Sequence, residues 1–99
     1  MFFVEFTDAA LEDLDDFRDP PTKERLIRIV KKELSNAPSS KGKIIGKSRD
    51  TGIIYFEKRF FFGAGYRVYY TILNQVVIID KVEYEGITRI ESASTKKKA

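Results

Sequence analysis

Two stretches of alternating sequence bring charged and aromatic side chains onto one surface. Residues 53–61 and 66–73 alternate with the period of two that is typical of β-strands. With Gly63-Ala64-Gly65 as a three-residue hairpin loop, Arg59 lies opposite Tyr69 and Glu57 lies opposite Thr71. One strand face then combines charges with aromatic rings: Tyr55, Glu57, Arg59, Phe61, Arg67, Tyr69 and Thr71. The other face is predicted to be core, with Lys58 near its edge: Phe60, Tyr66, Val68, Tyr70 and Ile72.

The charged face has the groups that are needed to bind and cut RNA. Arg59 and Arg67 can hold a phosphodiester through paired N–H donors and can stabilise the charge that develops in the transition state. Glu57 or Tyr69 can accept the proton of an attacking 2′-hydroxyl group, and the rings can stack on unpaired bases. The candidate catalytic residues are therefore Arg67, Arg59, Glu57 and Tyr69. An ordinary cross-strand lattice of ion pairs and packed rings is the alternative interpretation.

The composition excludes many other chemistries. The chain of 99 residues contains no histidine, no cysteine and no tryptophan. Zinc sites, disulfides, thiolate nucleophiles, Ser-His-Asp triads and haem ligation by His or Cys are therefore ruled out. Any catalysis must use Lys, Arg, Tyr, Asp, Glu, Ser or Thr. We expect no cofactor and assign no metal ligands.

Length and hydropathy predict a single globular domain. Hydrophobic residues make up 42% of the chain and charged residues 33%, which favours a packed core over disorder. We expect one domain over residues 1–90 and a basic, flexible tail over residues 91–99. No stretch approaches the roughly 18 apolar residues of a membrane span, and Met1 to Glu5 lack the features of a signal peptide. The expected location is the cytoplasm, without membrane attachment.

The net charge of +3 conceals a strong segregation along the chain. Residues 1–21 sum to −6, residues 22–52 to +6, residues 53–86 to zero and residues 87–99 to +3. A basic segment suits a polyanionic partner such as RNA or DNA. On charge alone, the favoured interpretation is a solvated helix face with a flexible lysine tail. The candidate nucleic-acid-binding residues are Lys41, Lys43, Lys47, Arg49, Lys58, Lys81 and Arg89.

The first half of the chain predicts a strand followed by a helical hairpin. Residues 1–6 alternate as a short strand, and Thr7 is a candidate N-cap for a helix over about residues 8–17. Two prolines then interrupt the pattern, and Thr22 is a candidate N-cap for a second, basic helix over about residues 23–36. Two antiparallel helices joined by a short loop are the expected result.

The second half predicts a meander of three strands. Residues 37–52 are expected to form a mobile connector that includes one short strand at Ile44-Ile45. The predicted strands are residues 53–61, residues 66–73 and, after a tight turn at Asn74-Gln75, residues 76–82. The last of these begins with four apolar residues, as expected of a strand in the centre of a sheet. The predicted fold is α+β, with the helices packed on one face of an antiparallel three-stranded meander.

The central hairpin also resembles a known family. Residues 57–70, EKRFFFGAGYRVYY, resemble the E-L-R-x-x-x-G-x-G-Y-R-V-x-Y signature of the RelE/ParE toxin superfamily, and above all its HigB-like, phage-derived addiction module killer branch. A loose F-x-x-A match from Phe6, the basic second helix and the apolar strand from Val76 support the likeness, which covers about residues 2–79.

This resemblance implies a RelE-like fold and a type II toxin that is neutralised by a cognate antitoxin. RelE-like members cut mRNA in the ribosomal A site, whereas ParE-like members poison DNA gyrase without nuclease activity. Arg67 matches the G-Y-R arginine that contacts the scissile phosphate, Arg59 matches the E-L-R arginine, and Glu57 matches its acid. The family also implies an antitoxin helix or strand over the helical hairpin and sheet edge. The free toxin is expected to be a monomer or a dimer.

The chain departs from the family after its last strand. Residues 80–89, DKVEYEGITR, are acidic where the family motifs are basic, and only Lys81, Tyr84 and Arg89 could substitute. Three functions stay open. The favoured one is a ribosome-dependent endoribonuclease, and the others are a gyrase inhibitor and an inactive relative that binds only antitoxin or RNA.

Overall fold

The described part of the chain forms one five-stranded sheet with helices on one face. The computed structural model describes residues 1–15, 20–61 and 65–84. In chain order the elements are β1 (Phe3–Phe6), α1 (Asp8–Asp15), α2 (Pro20–Leu34), α3 (Pro38–Lys41), β2 (Lys43–Lys47), β3 (Ile54–Phe60), β4 (Tyr66–Leu73) and β5 (Val76–Tyr84). The predicted α+β class is confirmed. The predicted helix end at Phe17, the loop positions Gly63 and Ala64, Arg89 and the tail over residues 91–99 lie outside the described residues.

The sheet has the order β1-β5-β4-β3-β2, with β1 parallel to β5 and all other neighbours antiparallel. The prediction of a three-stranded meander was therefore one strand short. Residues 37–52 are not a mobile connector, because they form the single turn α3 and the edge strand β2. This strand contains the short strand that was expected at Ile44-Ile45. Its full length was not predicted, because its side chains are mostly exposed and a register shift between Ile44 and Gly46 breaks its alternation.

The helix starts differ in how well the sequence predicted them. Thr7 is the expected N-cap of α1, because its hydroxyl accepts a hydrogen bond of 3.1 Å from the Ala10 N–H. Helix α2 instead begins at Pro20, so Thr22 lies within its first turn rather than at the cap. Proline stabilises a first turn because its φ angle already suits the helix.

Within the described ranges, no helix is long and apolar enough to span a membrane.

The core lies between the helices and the sheet. It combines buried side chains of α1 and α2 with alternate positions of three strands: Ala10, Leu14, Leu26, Val30, Leu34, Phe56, Phe60, Tyr66, Val68, Tyr70, Val77, Ile79 and Val82. We call the sheet surface opposite these helices the open face. Strand β5 lies between β1 and β4, which confirms the central position that its apolar start predicted.

A β-bulge interrupts the pairing of β4 with β5. Tyr70 pairs with Ile79 and Tyr69 pairs with Lys81, so Asp80 is an extra residue on β5. The Val82 N–H, just beyond the bulge, donates a hydrogen bond of 2.9 Å to the Asp13 carboxylate on α1. Helix α1 therefore supports the strand at the point where its regular pairing fails.

A second contact holds the turn α3 against the sheet. The buried Tyr70 hydroxyl donates a hydrogen bond of 2.8 Å to the Pro38 carbonyl, and burial raises the pKa of Tyr70 to about 12. Gly42 lies against this tyrosine so closely that a Cβ atom would overlap the hydroxyl and come within 3.0 Å of the Glu57 carbonyl oxygen. The absence of a side chain at Gly42 lets the chain pass from α3 into β2.

Replacing Asp13 by alanine should destabilise the protein by about 1.5–3 kcal/mol, because the Val82 N–H loses a charged acceptor in a half-buried place. Urea unfolding of Asp13→Ala and Asp13→Asn measures this, with Asp13→Asn expected to retain part of the stability. The exposed neighbour provides the control, since Glu12→Ala should change stability by less than about 0.5 kcal/mol. Equal losses in Asp13→Ala and Glu12→Ala would show that the bond to the bulge adds no stability.

Gly42→Ala should cost about 1–3 kcal/mol, because the hydrogen-bonded Tyr70 hydroxyl cannot move away without losing its partner. Gly46→Ala is the matched control, since no atom lies within 4 Å of the position of an added Cβ atom there. Thermal or urea unfolding of both variants checks the difference. The steric explanation fails if the two alanines have the same effect.

Candidate functional site

All four candidate catalytic residues lie on the open face. Glu57 and Arg59 are on β3, and Arg67 and Tyr69 are on β4. The alternation in burial along both strands agrees with the predicted division, since Phe56, Phe60, Tyr66, Val68 and Tyr70 are buried beneath the helices. Two adjacent strands therefore bring these four side chains to one surface.

The predicted register of this hairpin was wrong by two residues. Glu57 pairs with Tyr69 rather than Thr71, and Arg59 pairs with Arg67 rather than Tyr69. Among the described residues, the pairing of the hairpin ends with Phe60 opposite Tyr66. The faces were still predicted correctly, because a shift of two residues leaves each side chain on its side of the sheet.

Arg67 lies between two carboxylates. Its Nε atom is buried and lies 3.7 Å from Oε2 of Glu57, and both side chains are less than one-third exposed. Across the other strand boundary, Arg67 pairs with Glu83 of β5. Arg67 on β4 is thus flanked by a glutamate on each neighbouring strand, Glu57 on β3 and Glu83 on β5.

Tyr69 and Lys81 share Glu83. The Tyr69 hydroxyl donates a hydrogen bond of 2.9 Å to Oε1 of Glu83, and the Lys81 ammonium lies 3.8 Å from Oε2. Burial raises the pKa of Tyr69 and the bond to Glu83 raises it further, against an opposing hydrogen bond with Arg67. Tyr69 is therefore held in its protonated form at neutral pH, where it is a hydrogen-bond donor rather than a base.

Only some of the predicted nucleic-acid-binding residues lie near this cluster. Lys43 pairs with Glu57 from the edge strand, and Lys81 pairs with Tyr69. Lys58 is on the helix side, with its ammonium 5.1 Å from the centre of the Phe60 ring, and Lys47 pairs with Ile54 on that side too.

Two further predicted bases lie on other elements, and one lies outside the structure. Lys41 forms an ion pair of 2.8 Å with Glu33 of α2, and this contact lowers the pKa of Glu33. Arg49 is exposed in the connection between β2 and β3. Arg89 lies outside the described residues. Tyr84 is the candidate substitute for a family tyrosine. Its ring stacks on the ring of Tyr66 on the helix side, with 4.5 Å between the two ring centroids.

Glu83 is the residue of the site that the sequence did not reveal. Strict alternation from Val77 and Ile79 would turn Lys81 and Glu83 towards the helices, and only the bulge at Asp80 returns them to the open face. The sequence signal that could have located the bulge is the apolar spacing, because Val82 and Tyr84 resume the core pattern one residue out of phase.

In the part of the chain that the structure describes, no group of three or more His, Cys, Asp or Glu side chains could hold a metal ion.

Comparison with solved structures gives three similar folds. The chain is 27% identical to a chain of the RelBE2 toxin–antitoxin complex from Mycobacterium tuberculosis, with a TM-score of 0.64 over 85% of this chain and 98% of that chain. The intact E. coli RelBE toxin–antitoxin complex contains a chain that is 20% identical, with a TM-score of 0.59 over 83% of this chain and 94% of that one. A mutant of the E. coli toxin RelE in the free state is 19% identical, with a TM-score of 0.57 over 97% and 96% of the two chains. The last two likenesses show the shared fold alone. No family model and no curated protein matches the sequence.

Glu83→Gln should lower the pKa of Tyr69, because the amide keeps a hydrogen-bond acceptor but removes the negative charge that favours the protonated phenol. Alkaline titration of tyrosinate absorbance, with Tyr69→Phe used to identify the Tyr69 contribution, measures the change. Glu5→Gln, on the exposed face of β1, is the control for the loss of one charge. A Tyr69 pKa that is equal in the wild type and in Glu83→Gln contradicts this account.

Proposed function

We propose that the chain is the toxin of a type II toxin–antitoxin system and stops translation by cutting mRNA on the ribosome. Its fold and its 27% identity to a chain of the RelBE2 toxin–antitoxin complex support membership of the RelE/ParE toxin superfamily. The expected place of action is the cytoplasm, and the expected protein partner is a cognate antitoxin. Two of the similar structures come from toxin–antitoxin complexes, which supports that partner.

The observation that carries this proposal is the position of Arg59 directly opposite Arg67 on the open face. Like charges at opposed positions of neighbouring strands destabilise a sheet. A phosphodiester between the two guanidinium groups removes that repulsion and accepts charge-assisted hydrogen bonds from both. The opposed position of the two arginines therefore supports a phosphate site between their guanidinium groups.

The acid–base groups beside the arginines suit attack by the neighbouring 2′-hydroxyl group. In that step the 2′-oxygen bonds to phosphorus, the bond from phosphorus to the 5′-oxygen breaks, and a 2′,3′-cyclic phosphate is left on the upstream fragment. Glu57, within 3.7 Å of Arg67, is the group that we assign to accept the 2′-hydroxyl proton. Lys81 is the group that we assign to protonate the leaving 5′-oxygen. The raised pKa of Tyr69 makes it a poor base, so its proposed role is to donate a hydrogen bond.

The basic edge of the sheet suits contact with the nucleic-acid backbone outside the cluster. Lys43 and Lys47 lie on the edge strand β2, and Arg49 follows in the exposed connection. Cations on this edge would bind phosphates without reading sequence, which is the kind of contact that holds a protein on ribosomal RNA or mRNA.

Induced expression of the wild-type protein should arrest growth and produce mRNA cuts at codon boundaries. Replacing Arg67 by alanine (Arg67→Ala) should reduce this cleavage by about 100-fold or more. Primer extension on a defined mRNA with isolated ribosomes measures the cuts. Arg28→Ala is the control, because it removes the same charge from an exposed position of α2 on the helix side of the sheet. Glu57→Gln should lower cleavage while leaving ribosome binding intact.

Other outcomes distinguish the alternative functions. Growth arrest with SOS induction and stabilised gyrase–DNA cleavage complexes, without mRNA cuts, would identify a gyrase inhibitor. Induction without any toxicity would identify an inactive relative. Equal cleavage by the wild type and Arg67→Ala would show that the phosphate site has been assigned to the wrong residue.

A further inference from the structure

An open cavity lies beside the arginine cluster and shares one residue with it. Its volume is about 380 Å³, within the range of roughly 300–1,000 Å³ that is usual for small-ligand sites. It lies between the β2 edge and β5, and Tyr69 lines it on the side of the cluster. The catalytic assignment above gives this cavity no role.

The cavity combines apolar and aromatic walls with two polar groups. Ile45, Ile53 and Ile78 provide aliphatic surface, and Tyr55 also lines the cavity. Tyr55 pairs with Gly46 on the edge strand, so no side chain of β2 covers the ring from that position. Flat, half-exposed aromatic surface next to a phosphate site suits stacking of an unpaired base.

The polar groups are the Thr71 hydroxyl and the Asp80 carboxylate. Thr71 is buried, and its hydroxyl donates a hydrogen bond to Asp80. Asp80 is the extra residue of the β-bulge, and partial burial raises its pKa despite the bond from Thr71. A carboxylate has about four acceptor positions, so one bond from Thr71 leaves most of them available to a ligand.

We infer that this cavity binds the base of the nucleotide next to the scissile phosphate and that Asp80 selects guanine. The Watson–Crick edge of guanine carries two adjacent donors, N1–H and the N2 amine, which match the two oxygens of one carboxylate. Uracil presents one donor on that edge, and adenine and cytosine present one amine beside an acceptor that Asp80 would repel. Continuity with the arginine cluster through Tyr69 favours a nucleotide over a protein side chain as the occupant.

This inference rests on the proposed function, because it names the base that the same site would read. It concerns binding, however, and can be tested without ribosomes or cleavage. The probes are GMP, IMP, which lacks the N2 amine, AMP and UMP, added to the ¹⁵N-labelled free protein. We expect saturable shifts of the Thr71, Ile78 and Asp80 amides, with GMP binding about tenfold tighter than IMP and tighter still than AMP or UMP. Inorganic phosphate alone should shift Arg59 and Arg67 but not these three amides.

Asp80→Asn provides the decisive variant. The asparagine amide offers one donor and one acceptor, so it should weaken GMP binding about tenfold and strengthen binding of XMP, whose C2 oxygen accepts where guanine donates. Asp50→Asn, in the exposed connection between β2 and β3, removes the same charge and should leave the order of affinities unchanged.

Three results would overturn the inference. These are equal affinities for all four nucleotides, an equal effect of Asp80→Asn on all of them, and shifts confined to the arginines. The last result would also favour a protein side chain as the occupant of the cavity. If mRNA cleavage is observed together with any of these results, the proposed nuclease function is supported and guanine binding in the cavity is rejected. Selective GMP binding without mRNA cleavage would instead retain the pocket and reject the proposed nuclease.

Discussion

The β-bulge at Asp80 determines what the open face contains. Because one residue is added to β5 there, Lys81 and Glu83 join Arg67 and Tyr69 on the surface, while Val82 returns to the core. The Val82 N–H donates a hydrogen bond to Asp13, and through this bond the acidic helix α1 stabilises the bulge. The charge cluster and the adjacent cavity both depend on this single irregularity in pairing.

The cluster shows how the fold accommodates opposed cations. Arg59 and Arg67 face each other across β3 and β4, at a cost to the stability of the sheet. Glu57 lies beside Arg67, and Glu83 lies opposite it on β5, so carboxylates limit the repulsion when no anion is present. A bound phosphate would compete with these carboxylates. The carboxylates that limit repulsion in the free protein would therefore oppose the binding of an anion at Arg67.

Much of the fold could be predicted from alternation and capping, because these depend on local sequence. The faces of β3 and β4 were predicted correctly even though the register was wrong by two residues, since side-chain direction depends only on whether a position is odd or even. A short strand at Ile44-Ile45 was predicted, but the full length of β2 and the role of Glu83 could not be. Each depends on a bulge, and a bulge is stabilised by partners distant in sequence, such as Asp13 for Val82, that alternation does not reveal.

Tyr69 connects the two parts of the open face. Its ring lines the cavity, whereas its hydroxyl is bonded to Glu83 within the charged cluster. Under the proposed function, Tyr69 would lie between a base in the cavity and a phosphate at Arg67. The proposed nuclease has no histidine, so precise placement of the substrate would have to compensate for the lack of a proton acceptor with a pKa near neutrality. A tyrosine bonded to Glu83 between the proposed base and phosphate positions would contribute to that placement.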